Sequence, residues 1–275
     1  MATNSAPRLI APPSRAARAW FASRGVIVPA VTLALLLVAW EASVRVFVIP
    51  VFLLPAPSRI WAEMGSMLPH LPRNILATLV TVLLGFAASV IVAVPLAIAI
   101  SSSAGLARAT YPLLLMTQST PIVAIAPILV VAFGTGQVSR TLVAFLIAFF
   151  PLLVSTVTGL LATPREIRDL SRSLRMSFFQ ELWMIRLPAA MPFIFAGLKV
   201  AVTLSVIGAV VSEFVTANAG LGYLITQATA FFNVPMAFGA VVLLALMGIG
   251  LFGSVVLIER VFFPWSARAG RQAVD

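Results

Sequence analysis

The chain has no cysteine, one histidine and eight acidic residues among its 275. Without cysteine there are no disulfides, no thiolate nucleophile and no thiolate-ligated metal. His70 alone cannot build an imidazole metal site. No Walker-type phosphate loop, G-x-x-x-x-G-K-[ST], occurs anywhere, so any nucleotide chemistry must belong to another chain. No nucleophile triad, paired carboxylates or metal cluster can be assembled from these positions, so the chain itself is not expected to be an enzyme or to hold a cofactor or metal. Charge of either sign is scarce at 9%, against about 25% in soluble globular proteins.

What is abundant is apolar. Hydrophobic residues make up 61% of the sequence and mean hydropathy is +1.10, which places the chain in the membrane class. The net charge of +10 would suggest nucleic acid in a soluble protein. Here the arginines flank apolar runs, so the charge reads as topology setting and the lipid bilayer as the partner, with no nucleic acid.

Six apolar segments, roughly 26–49, 74–100, 106–133, 138–161, 189–212 and 236–259, are each long enough to cross about 30 Å of hydrocarbon. The expected fold is therefore all-α and integral to the membrane, with six transmembrane helices. Residues 1–24 read as a mobile cytoplasmic tail, 25–73 as the first span plus an extracytoplasmic loop, 74–260 as the main membrane domain and 261–275 as a cytoplasmic tail. Within the loop, Ser58 is expected to cap a short interfacial helix carrying Ile60, Trp61, Met64, Met67 and Leu68 on one face. Glu41 and Arg45 stand one helical turn apart and can neutralise each other. With the N-terminus inside, arginines are biased to the cytoplasmic side roughly three to one; five or seven spans would put 163–188 or the C-terminal arginines on the wrong side. Localisation is thus the plasma (inner) membrane, multi-pass, with both termini cytoplasmic.

The stretch 163–188, TPREIRDLSRSLRMSFFQELWMIRLP, is the longest strongly polar interval. Thr163, Pro164 and Glu166 fit a capped helix start, with Ile167, Leu170 and Leu174 on one face. Ser177 and Gln180 repeat the capping pattern ahead of Phe178, Phe179, Leu182 and Trp183. Leu187–Pro188 is expected to stop the second helix. Two short amphipathic helices between apolar spans read as a rigid handle, although a plain solvated positive-inside loop has the same composition.

Other polar residues carry alternatives. Glu213, at the outer end of the fifth span, is either a pathway or gate residue or a structural partner. Thr117, Gln118, Ser119 and Thr120 sit at mid-depth beside Pro121 and either line a pathway or bond to neighbouring helices. Lys199 is expected to snorkel to the cytoplasmic headgroups. Gly220 and Gly222 read as turn residues opening an outer-face helix, or as a docking surface for a partner. His70 reads as a loop residue.

The handle resembles the cytoplasmic loop of type I ABC importer permeases: an EAA start, a glycine four residues later, nine residues, then I-x-L-P. The matching residues are Asp169, Leu170 and Ser171, then Arg175, then Ile185, Leu187 and Pro188. The ending and spacing agree, the start is degenerate, and Arg175 replaces the family glycine. Segments 120–136 (TPIVAIAPILVVAFGTG), 148–160 (AFFPLLVSTVTGL), 192–201 (PFIFAGLKVA) and 220–225 (GLGYLI) resemble the branch serving nitrate, sulfonate and taurine uptake, with relatives for riboflavin or thiamine-precursor pyrimidines. The resemblance implies a type I (MetI-like) architecture and a permease that forms the path for a small solute. It also implies a second permease copy, as a homodimer, together with two ABC ATPase subunits and an extracytoplasmic solute-binding protein. It assigns coupling to the ATPases to loop 163–188, with Asp169, Ser171, Arg175, Ile185, Leu187 and Pro188 on the matching positions; the residues themselves add Phe178, Phe179 and Trp183 as apolar knobs for a groove and Glu166 and Arg172 on the charged rim. Gln118, Ser119, Thr120 and Glu213 are the candidate pathway residues. An ion-gradient-driven carrier is the rival; it would show repeated halves and charges at mid-membrane.

Overall fold

The computed structural model describes residues 15–67, 69, 71–118, 121–216 and 218–266. Within them every regular element is helical. The helices are α1 (Arg15–Val46), α2 (Pro57–Met67), α3 (Leu71–Ser101), α4 (Ala104–Gln118), α5 (Ala126–Phe133), α6 (Gln137–Leu161), α7 (Arg165–Ser173), α8 (Phe178–Glu181), α9 (Leu187–Thr216), α10 (Leu221–Ala230) and α11 (Val234–Phe262).

Five helical stretches are long and apolar enough to cross a membrane unaided, and they fall on five of the six expected segments. The expected third span, 106–133, is instead broken. Pro112 lies inside α4, a 3₁₀ turn spans Ile122–Ile125 after Pro121, and Pro127 opens α5. Each proline removes a backbone donor and crowds the preceding turn; single prolines are carried inside α1, α3, α6 and α9, but here Pro121 and Pro127 stand six residues apart around the 3₁₀ turn. The N-terminal expectation also changes: α1 begins at Arg15, inside the presumed tail. The run RAARAWFASR lacks proline and is rich in alanine and arginine, both strong helix formers.

The centre is α6, packed against α3 and α9. Small residues let these backbones approach, which is how helices associate where no water is available to drive them together. Ala144 of α6 is pinched from both sides. A Cβ added at Gly85 on α3 would lie 2.5 Å from its Cβ, and one at Gly208 on α9 would lie 2.6 Å from its Cα. Leu152, Leu153, Val157 and Leu160 fill the layer nearer the handle. On the outside, α11 packs on α9 and α10, and α2 lies on α11. Ile60 is buried there while Trp61 is exposed, so these two do not share one face as expected. Ser58 does not cap α2 either. Its N–H and hydroxyl both donate to the Glu41 carboxylate (3.0 and 2.7 Å), which also holds Arg45 as expected.

Candidate functional site

The handle begins where α6 ends. Pro164 is extended (ψ 144°) and is itself the residue before α7, with no side-chain cap. The expected Thr163–Glu166 capping box is therefore absent: Thr163 is buried with its hydroxyl unpartnered, and Glu166 is exposed. A proline cannot accept as a cap, and its ring holds Thr163 one position too far back. α7 then closes in a paired turn. Met176 N–H donates to Ser171 O at 3.0 Å and Arg175 N–H to Arg172 O at 2.9 Å, the Schellman pattern. Arg175 occupies the left-handed position, φ 53°, where glycine is favoured; an arginine there costs roughly 1–2 kcal/mol.

The second capping box is present as expected. Gln180 N–H donates to the Ser177 hydroxyl, and Ser177 N–H donates to the Gln180 side chain at 2.8 Å. Beyond it, Leu187–Pro188 does not stop the helix. A π-turn over Leu182–Arg186 carries α8 directly into α9. Leu187 N–H reaches back five residues to Leu182 O, and this wider turn makes room for a proline that would collide with the carbonyl of Met184 in a regular α-turn.

The surface this builds is apolar and uncovered. Leu170, Leu174, Phe179, Trp183 and Met184 are 58–70% exposed, and the Phe178 and Phe179 rings meet edge to face at 5.6 Å. Leu182, expected among these knobs, points inward and is 3% exposed in the main core. Asp169 and Arg172 form an exposed pair at 3.4 Å, worth little in stability. Ser171 is buried, its hydroxyl donating to Arg168 O at 2.7 Å. Ile185, Leu187 and Pro188 are half-buried at the base.

From the sequence, Arg186 reads only as one more cytoplasmic arginine. In the fold it is 5% exposed and donates from Nη2 to Ser101 O at 2.8 Å, with Leu160 O at 3.5 Å. The local signal that could have marked it is a cation between two apolar residues at a span's edge.

The other end of α9 lies about 40 Å away at 1.5 Å per residue. There Glu213, 1% exposed, accepts from the Thr78 hydroxyl (2.8 Å) and from Gly222 N–H (2.7 Å). Leu221 N–H donates to Thr78 Oγ1, and Gly220 N–H to Asn74 Oδ1. The N–H groups of the N-cap Gly220 and of the first two residues of α10 are thus all satisfied, with a carboxylate at the helix's positive end. Gly220 has φ 133°, and a Cβ there would strike the Glu213 carboxylate. Glu213 therefore sits as an internal anchor at the turn that Gly220 and Gly222 were expected to form. Beside it a cavity of about 510 Å³ opens between α3, α10 and α11, lined by Arg73, Asn218, Tyr223, Leu224, Gln227 and Met236 among others.

Of the other candidate pathway residues, Ser119 and Thr120 lie outside the described residues, as does the side chain of Gln118 at the end of α4; His70 is also outside them. Lys199 does not snorkel. Its Nζ pairs with Glu259 Oε2 of α11 at 2.5 Å, and Ser266 donates to the other carboxylate oxygen at 2.8 Å. A nearby carboxylate outcompetes the headgroups, and these charges inside the spans are neutralised within the chain.

Comparison with known proteins agrees with this architecture. Residues 89–267 match the binding-protein-dependent transport system inner membrane component family. The chain is 38% identical to the riboflavin transport system permease protein RibX of Chloroflexus aurantiacus, covering 86% of this chain and 89% of that one. It is 34% identical to the formylaminopyrimidine transport permease protein ThiX of Halalkalibacterium halodurans, covering 86% and 95%. It is 28% identical to the putative aliphatic sulfonates transport permease protein SsuC of Bacillus subtilis, covering 92% and 90%. It shares its fold with a chain of the inward-facing MetNI methionine ABC transporter, with a TM-score of 0.61 at 20% identity over 71% of this chain and 97% of that one. A helical membrane core, a two-helix polar loop and this sequence similarity together mean that the chain belongs to the binding-protein-dependent transport system inner membrane component family, the permease subunits of ABC importers.

Proposed function

We propose that loop 163–188 is the seat for a separate ABC ATPase subunit, and that the chain works as two copies with two such ATPases and an extracytoplasmic binding protein. The observation that carries this is the bare apolar surface of α7, α8 and the π-turn, displayed on a helix continuous with α9. Large exposed apolar patches on a structured loop fit a partner's groove. The arginines around it support a cytoplasmic position for this loop and for both termini, and exposed charges there tune docking rate and register. Closure of the ATPases then drives rigid-body motion that alternates the open side.

The broken segment 106–133 crosses the membrane as the third of six spans. Irregular backbone at membrane depth is tolerated where protein covers it or where it lines a water-filled path, which supports Gln118, Ser119 and Thr120 as pathway residues. Glu213 serves the same path indirectly, as the anchor of α10. The cargo is a small solute. Relatives at 38% and 34% identity are named for riboflavin and formylaminopyrimidine, and those for nitrate, bicarbonate, sulfonates and taurine stand at 26–31%; this supports a nitrogen heterocycle over a small oxyanion.

The test is purification from the native membrane, then reconstitution. An ATPase subunit should co-purify, and riboflavin, a pyrimidine, taurine and nitrate should be compared for ATP-dependent uptake with the cognate binding protein. Uptake by the chain alone, with no ATPase present, would sink the proposal in favour of an ion-driven carrier.

A further inference from the structure

We infer that Arg186 is the positioning residue that makes loop 163–188 move as one body with the cytoplasmic end of α3, so that docking at the loop displaces α3 together with α6 and α9, the two helices the loop is joined to in the chain. This rests on the coupling role proposed above.

Three observations converge on Arg186. First is its place in the chain. It ends the π-turn that joins α8 to α9, so displacement of the loop relative to α9 passes through its backbone. An added residue in a helical turn rotates the preceding segment by about 100° relative to the succeeding one. Across this turn Trp183 and Met184 face outward while Leu182 and Arg186 are buried. The turn thus serves a docking face and an inward cation within five residues.

Second is the grip of the guanidinium. Ser101 is the last residue of α3 and Leu160 the penultimate residue of α6. Their carbonyls belong to the final helical turns, which lack intrahelical donors and carry the negative ends of the helix dipoles. One Nη2 reaches both, at 2.8 and 3.5 Å, across 85 and 26 residues of sequence. Charge-assisted bonds of this kind are stronger than neutral ones.

Third is the nature of the loop's other ties. The side-chain bonds of Ser171 to Arg168, Arg172 and Ser173 to Asp169, and Ser177 with Gln180 all run within the loop itself. They stiffen it without fastening it to the spans. Apolar packing of Leu182 and Leu187 in the core resists separation but permits sliding. A directional bond to two helix ends resists both.

The experiment uses the full complex with its ATPase subunits and exploits the absence of cysteine. Spin labels at Ser102 and Ser173, both exposed, report the separation of the α3 end and the loop. They are read nucleotide-free and after trapping with ADP and vanadate. With the doubly labelled chain diluted among unlabelled copies, so that pairs across the two copies drop out, the native chain is expected to give one narrow distance in both states. R186M is expected to keep the ATPase bound and hydrolysing ATP, while the distance broadens and shifts on trapping. R186K, which keeps one charged donor, should restore the narrow distance. If R186M does not assemble, R186Q takes its place with the same expectation. A native distance that changes on trapping, or an R186M or R186Q distance that stays narrow in both states, overturns the inference. A native complex with no ATPase overturns the coupling role itself; a native complex that holds its ATPase while the variant distance is unchanged overturns only the part assigned to Arg186.

Discussion

The two ends of α9 handle polarity in opposite ways. At the outer end a carboxylate, a threonine and an asparagine are buried, and every donor they face is satisfied within the chain. At the handle end large apolar side chains stand uncovered, while the polar tie, Arg186, lies beneath them. A buried network without loose ends is complete by itself and fixes α10 rigidly to α3 and α9. An apolar surface left in water is incomplete by itself and gains free energy only when something covers it. The difference teaches which end is built as a fixed point and which as a contact.

Breaking the self-sufficient end should have the largest effect. Gly220→Ala forces a Cβ into the Glu213 carboxylate at a backbone conformation nearly exclusive to glycine, costing of order 1–3 kcal/mol before the clash is counted. Its thermal midpoint in detergent should fall well below the parent's; an unchanged midpoint would mean that the anchor is slack. Breaking the ion pair is next, because it leaves the backbone unstrained and forces no atoms into contact. Lys199→Met leaves Glu259 buried and unpaired, for a loss of about 3–5 kcal/mol. The double variant Lys199→Met/Glu259→Gln should recover much of it, and a double variant no better than the single would show that the pair contributes little. Glu213→Ala leaves the Thr78 O–H and the Gly222 N–H without acceptors, at about 1–3 kcal/mol each, while Thr78 Oγ1 still accepts from Leu221 N–H; the loss is read from the same melting curves.

At the handle the pattern should invert. Phe179→Asp and Trp183→Asp alter exposed side chains and should change stability by no more than about 0.5 kcal/mol, yet abolish ATPase co-purification. Retained ATPase would erase the contrast between the ends. The smallest effect belongs to Arg175→Gly. Relief of the left-handed arginine should raise stability by up to about 1 kcal/mol, offset in part by glycine's greater chain entropy, with ATP-driven uptake unchanged. Lost uptake with intact ATPase binding would make Arg175 a specific contact.

Much of the architecture was legible from residue order. Five apolar runs became helices whose ends fell within a few residues of expectation, apart from the N-terminal start of α1, and the Ser177–Gln180 box formed where the spacing placed it. These are local properties: length, period and short-range capping. The misreadings share a cause. The spacing predicts a cap at Thr163 that Pro164 displaces by one residue, and an end at Pro188 that a π-turn carries past. Both turn on backbone geometry that neighbours set.

The sequence by itself determined that this protein lives in a bilayer, roughly where it crosses, and that one loop is amphipathic, because hydrophobic length and helical period are written in consecutive residues. Only the tertiary structure decided that Glu213 anchors α10, that Lys199 meets Glu259 and that Arg186 grips the ends of α3 and α6. Where water is excluded, a polar group must find its partner within the protein, and these partners, Thr78, Glu259, Ser101 and Leu160, lie dozens of residues away in the chain. Hydrogen-bond directionality and helix packing chose them, and no local pattern records that choice.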